Sequence, residues 1–305
     1  MEFKKKVKLD RSGLSSILIA VIVIVVIVVA AGAAYVLLSN NGDEEVKEKE
    51  YIAPGTVLEY DMSALGVKAG TAKFEYIGQG VDDYFLKVTY MLTDGTGFFV
   101  YAVDPKEVPD GAKKTGTTQL DTIFGKKTVD VWEFTEGGAT TISYVDQSNL
   151  VLVYKQEGEL EGIPVTFDLT KYDPKWQTSY EASASIGITH EYAATGSDGA
   201  NYTCKIICFA DCTGGKYGVV YDIGGAKSYF LSDSPRGLPT DADNEGTTST
   251  IGNAVYGNVS VQLWVYEAMD TDIEFYCDSP THTIYRFVVP EEDGTSLVFN
   301  LTKKP

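Results

Sequence analysis

The sequence predicts a mainly β chain: an N-terminal transmembrane helix followed by two tandem duplicated antiparallel β-sheet modules. Three observations predict it. Residues 17–38 carry no charge and no proline, residues 51–176 and 183–305 match one another at a nearly constant offset, and within each match apolar side chains recur at every second position.

The first forty residues set the topology. Ile17 to Leu38 is a run of 22 residues, and a helix of that length spans roughly 33 Å against a bilayer core of about 30 Å. A soluble helix of this length is seldom apolar on every face, so residues 14–38 are assigned to the membrane and to contact with its lipid. Lys4, Lys5, Lys6, Lys8 and Arg11 precede the span against Glu2 and Asp10, whereas the linker at 39–50 carries Asp43, Glu44, Glu45, Lys47, Glu48, Lys49 and Glu50. The positive-inside rule then keeps residues 1–13 in the cytoplasm and places the rest outside it. Ala31-Gly32-Ala33 resembles a signal-peptide cleavage site, but the apolar run before it is long for a cleaved signal, which favours an uncleaved anchor. No lipid-attachment cysteine follows the span. The small residues Ala30 to Ala34 permit close approach of two such helices, so an oligomer is allowed.

Taking the five basic and two acidic residues of positions 1–38 from totals of 25 and 43 leaves 20 basic and 41 acidic residues outside, a net charge near −21. Nucleic acid needs a basic face and is excluded as a partner. The acidity itself fits a solvated surface kept soluble by repulsion.

Past the linker the chain repeats itself. An offset of 132 places Gly125, Val129, Trp132, Tyr144, Asp146, Phe167, Leu169 and Lys171 on Gly257, Val261, Trp264, Tyr276, Asp278, Phe299, Leu301 and Lys303. An offset of 130 brings Pro105, Gly116, Thr117 and Thr118 onto Pro235, Gly246, Thr247 and Thr248. Two modules follow, at 51–176 and 183–305, each of ordinary domain size. Within them the period is two, as in Val129-Asp130-Val131-Trp132-Glu133-Phe134 and Val259-Ser260-Val261-Gln262-Leu263. Further strands are expected at 57–61, 71–78, 84–92, 98–103, 140–145, 150–156 and 166–169, set off by Asp-Gly, Gly-Gln-Gly, Gly-Gly and Asp-Gln-Ser turns. Trp132 and Trp264, repeated on an alternating strand, are expected to fill the two cores. Asp146 and Asp278 follow a strand and are expected to shape Asx turns.

Successive antiparallel strands, a Tyr144-Val145-Asp146-Gln147-Ser148 turn and a closing strand at 165–172 resemble the half-barrel modules of lipoprotein-carrier-like secreted proteins. The resemblance implies a curved, half-barrel or sandwich-like sheet whose concave face could hold an apolar ligand. The basic head and unbroken Ile/Val span are also similar to archaeal membrane-anchored surface proteins.

Candidate chemistry is sparse. Cys204, Cys208, Cys212 and Cys277 are read as buried thiols, with a disulfide from Cys204 or Cys208 to Cys277 as the alternative and a metal site as the third reading. His190 and His282 align with Leu58 and Leu150 and lie in no catalytic motif. Paired carboxylates of the glycosidase kind could be drawn from any acidic β chain. Asp241, Asp243 and Glu245, ahead of Gly246, open like a calcium loop, but Gly252 stands where its closing glutamate belongs. Asn201, Asn258 and Asn300 begin glycosylation sequons. No cofactor and no enzymatic activity are expected. The leading expectation is a surface ectodomain that binds or adheres through an unidentified surface or protein ligand. The alternatives are a pilin-like filament subunit with a processed leader and a carrier of lipid or another apolar ligand.

Overall fold

A computed structural model describes residues 51–106, 111–136, 139–147, 152–160, 163–196, 199–268, 271–291 and 294–303. The expected membrane span, basic head and linker lie outside them. Among the described residues no helix is long and apolar enough to cross a membrane. The chain divides into two compact units between Glu181 and Ala182.

In the first unit, nine antiparallel strands carry the fold: β2 (Val57–Ala64), β3 (Val67–Gly80), β4 (Asp83–Leu92), β5 (Gly97–Pro105), β6 (Lys113–Thr122), β7 (Gly125–Glu136), β8 (Ala139–Asp146), β9 (Val153–Leu160) and β10 (Ile163–Asp173). They pair in the order β5-β4-β3-β2-β10-β9-β8-β7-β6, so the first hairpin strand meets the last. A short pair, β1 (Tyr51–Ile52) with β11 (Trp176–Gln177), stands beside them. Alternation builds the core. Along β3, Ala72, Phe74 and Tyr76 turn inward to meet Tyr60, Val88 and Tyr90, and polar or small residues between them face outward. Leu65 and Gly66 join β2 to β3 with φ of 52° and 74°, the left-handed pair that a two-residue hairpin requires.

The second unit repeats the plan. Its strands are β12 (Thr189–Thr195), β13 (Asn201–Cys212), β14 (Lys216–Ile223), β15 (Ala226–Ser232), β16 (Asp243–Asn253), β17 (Gly257–Ala268), β18 (Thr271–Cys277), β19 (Ile284–Pro290) and β20 (Ser296–Lys303). Their order is β15-β14-β13-β12-β20-β19-β18-β17-β16. A single 3-10 turn, Thr213–Gly215, links β13 to β14.

Irregularities repeat as well. Register shifts fall at Tyr76/Gly78 and Cys208/Ala210, and again at Tyr144/Val145 and Tyr276/Cys277. The Tyr60 hydroxyl donates to the Val153 carbonyl at 3.0 Å, and the Tyr192 hydroxyl donates to the Ile284 carbonyl at 2.9 Å. Bulges bend a strand and raise its twist, so keeping them in both copies keeps the same curvature in both sheets.

Candidate functional site

The two copies part company on the inward face of β8 and β9 and of their counterparts β18 and β19. In the second unit a cross-strand row runs Trp264, Phe275, Phe287, Phe299 through β17, β18, β19 and β20. Phe275 and Phe287 stack at 6.0 Å, Phe287 and Phe299 at 4.6 Å, and all three rings are buried. Beside this row Tyr266, Ile273, Val289 and Leu297 pack half-buried against the same core.

The matching row of the first unit reads Trp132, Ser143, Gln156, Phe167 through β7, β8, β9 and β10. The row beside it reads Phe134, Thr141, Gly158, Val165. Four adjacent positions that are Phe, Phe, Ile and Val in one copy are therefore Ser, Gln, Thr and Gly in the other. They are not surface positions: Ser143 is 2% exposed, Thr141 3% and Gln156 7%. The Gln156 amide donates to the Ser143 hydroxyl at 3.3 Å. Next along β7, the buried Asp130 carboxylate accepts from Lys114 and from the Gln147 amide at 2.7 Å. Its charge is met inside the protein.

Trp132 and Trp264 occupy equivalent places, yet neither reaches full burial. Trp264 lies half-buried on the core, its ring edge-on to His282 at 5.3 Å. The expectation that the tryptophans fill the cores is corrected. Each row runs from a solvent-facing edge strand (Lys114 or Asn244) inward, and the indole is one step from that edge. The cores centre instead on Tyr60, Phe74, Tyr90 and Phe167, and on Tyr192, Phe275, Phe287 and Phe299.

The four cysteines are free thiols. Burial pushes Cys204, Cys208 and Cys212 up to about 12 and raises Cys277 well above its ordinary value, with Asp222, Asp211 and Asp278 nearby adding in the same direction. These are poor nucleophiles and poor metal ligands at neutral pH. Among the described residues no three His, Cys, Asp or Glu side chains gather as a metal site. Asp241, Asp243 and Glu245 are exposed, and β16 draws the last two into an extended strand. An extended strand spaces Asp243 and Glu245 about 6.6 Å apart along the chain and does not wrap them round one ion as a calcium loop would.

His190 is 0% exposed and neither ring nitrogen has a hydrogen-bond partner. Burial, with the Arg236 guanidinium nearby, lowers it to about 4, so it is neutral at physiological pH. His282 adopts φ 53° in the turn that Asp278 organises. There the Asp278 carboxylate accepts from the Thr283 amide at 2.8 Å and the Thr281 hydroxyl at 2.6 Å, five and three residues on, which ties the turn together without the two-residue reach of an Asx turn. Asp146 instead accepts from the Tyr154 hydroxyl at 2.5 Å. Asn201 and Asn258 are exposed, whereas Asn300 is half-buried and accepts from the Arg286 Nε at 3.0 Å.

No family model matches the chain, and no curated protein matches it. Among solved structures it is similar to MucB in complex with the periplasmic part of MucA, at 10% identity and TM-score 0.28 over 81% of this chain and 87% of that one. It is also similar to a putative AttH from Nitrosomonas europaea, at 11% identity and TM-score 0.21 over 90% and 98%. Neither likeness is close enough to argue from.

Proposed function

We propose that the chain is a membrane-anchored, extracytoplasmic binding or adhesion protein without enzymatic activity. Residues 14–38 hold it in the lipid, and the duplicated β modules present a binding surface outside the cytoplasm. The observation that carries this reading is the completeness of the repeat, which extends to strand order, bulges and the Tyr60 and Tyr192 hydrogen bonds. Repeating a whole core adds surface and valency, which raises avidity without any new contact. The buried groups with catalytic potential support it too. His190 is neutral and has no orienting carboxylate on its ring nitrogens, and the thiols are held protonated. Catalytic imidazole and thiol chemistry need the opposite environment.

Two preparations, intact cells and liposomes, test the reading. Protease added to intact cells should remove residues 51–305 and leave a membrane-held stub. The full-length protein in liposomes should attach to cell-envelope fragments and turn over nothing in a hydrolase substrate screen. Protection of the modules from protease, or hydrolysis that survives purification, would refute it.

A further inference from the structure

One end of the first unit carries more exposed apolar side chain than a solvated rim needs. Register fixes what lies there. The turns joining β3 to β4 and β6 to β7, the end of β10 and the start of β2 all fall at the same end of the sheet. Val81, Ile123 and Phe124 occupy those turns and Trp176 follows β10, each of them 41–58% exposed. Single exposed apolar residues are ordinary, whereas several on one rim mark a contact surface. The second unit does not repeat them. Thr213-Gly214-Gly215 stands for the β3–β4 turn, and Val255-Tyr256 stands for Ile123-Phe124, with Val255 half-buried and Tyr256 ending in a hydroxyl.

We propose that this rim docks on the surface of the lipid bilayer that holds residues 14–38, with Val81, Ile123 and Phe124 among the upper acyl chains and Trp176 at headgroup level. This rests on the membrane-anchored reading above and adds how the first unit meets the membrane. The path of the chain selects the bilayer as the occupant. Tyr51 and Ile52 pair with Gln177 and Trp176, and the Ala53 amide donates to the Lys175 carbonyl at 2.8 Å, so the chain enters the unit hydrogen-bonded to the rim itself. Residues 39–50 separate that entry from the span, and a chain of that length reaches at most about 40 Å. The opposite rim also exposes Leu65 and Val67, but it lies the eight residues of β2 away from the entry, about 26 Å. An indole favours the bilayer interface because its ring is apolar and its N–H polar. Lys126 and Lys127 follow the β6–β7 turn and suit phosphate headgroups, yet Asp82 and Asp121 share the rim. Apolar burial rather than charge therefore carries the contact.

The test uses the full-length chain with Trp132→Phe and Trp264→Phe, so that Trp176 alone fluoresces, in vesicles of phosphatidylcholine and phosphatidylglycerol whose acyl chains are brominated near the headgroup. Flotation of the vesicles reads anchoring, and bromine quenching reads contact between Trp176 and lipid. The expected result is co-flotation with a blue-shifted, quenched Trp176 that persists in about 1 M salt, where exposed charges are screened. Ile123→Ser with Phe124→Ser should remove most of the quenching while flotation, and the melting temperature in detergent, stay unchanged. Leu65→Ser with Val67→Ser, at the opposite rim, should leave the quenching as it was. Quenching that salt abolishes, that survives the Ile123 and Phe124 changes, or that the Leu65 and Val67 changes remove overturns the inference. So does a protein that floats with Trp176 unquenched, whether its emission is that of water or is blue-shifted by a protein contact, and the anchored reading then stands. A protein that does not float sinks both.

Discussion

Replacing His190 with the leucine found at the equivalent position of the first unit separates two energetic effects that pH can resolve. Leu58 is 3% exposed in that position, so the site accepts the side chain. At any pH the change removes two buried ring nitrogens that have no partner, each of which costs about 1–3 kcal/mol. A second effect follows the proton. The folded value of about 4 lies below the ordinary 6.5, so as pH falls the unfolded chain takes up the proton first. Stability from the neutral imidazole is complete above 6.5 and is lost as pH falls toward 4. Linkage gives a loss of about 2 kcal/mol at pH 5 and nearly none at pH 7. His190→Leu should therefore stabilise the protein at both pH values, and by about 2 kcal/mol more at pH 5. In melting temperature that extra gain is about 4–8 °C for a chain of this size. Calorimetry at the two pH values measures it. An equal gain at both, or a variant less stable than the parent at pH 5, would show that His190 is solvated or hydrogen-bonded after all.

Gly237 holds φ 106°, and a Cβ there would sit 2.5 Å from the Ile206 Cγ2; Gly237→Ala should lower stability by about 2–3 kcal/mol in urea titration. Alkylation in denaturant without reductant should add four adducts, one for each free cysteine. In the native protein at pH 8 reaction should be slow, because thiols near 12 are about one part in ten thousand thiolate. Calcium should leave the melting temperature unchanged, since Asp241, Asp243 and Glu245 do not converge; a rise of several degrees at millimolar calcium would restore the site.

The sheet was legible wherever one face is buried and the other wet. Alternation marks β2, β3, β4 and β7 directly, and the 132-residue offset marks their partners. Strand β6 was missed because Lys113–Thr122 is exposed along nearly its whole length, as is β16, so neither side chain face is apolar and no period appears. Among the described residues β6 pairs with β7 alone, the condition of an edge strand. The polar patch was half legible. Ser143 against Phe275 is visible at an offset of 132, but Gln156 meets Phe287 only at 131, because the chain from Val145 to its partner Val153 is one residue longer than that from Cys277 to its partner Ile284. Sequence comparison at one fixed offset therefore pairs Phe287 with Lys155 and hides the substitution. Only the cross-strand register brings the four positions into one patch.

That register also ranks the two units by stability. Fully burying a phenylalanine is worth about 1.5–3 kcal/mol, so the first unit forgoes about 3–6 kcal/mol at Ser143 and Gln156 alone. Against a typical domain stability of 5–15 kcal/mol this is a large fraction. Its polar bonds, Tyr76 to Asp104 at 2.6 Å and Tyr154 to Asp146 at 2.5 Å, offset part of the loss at about 1.5–3 kcal/mol for each bond to a charged group. At pH 7 the proton-linked part of the His190 penalty is nearly absent, and His190→Leu removes the part that does not depend on pH, so in that variant the first unit should open more readily than the second. Hydrogen exchange read by mass spectrometry resolves this, since 1.4 kcal/mol is a tenfold difference in protection. Core amides of β8 and β9 should exchange at least tenfold faster than those of β18 and β19. Faster exchange in β18 and β19 would mean that the polar side chains Ser143 and Gln156 cost the first unit less than the burial of Phe275 and Phe287 gives the second.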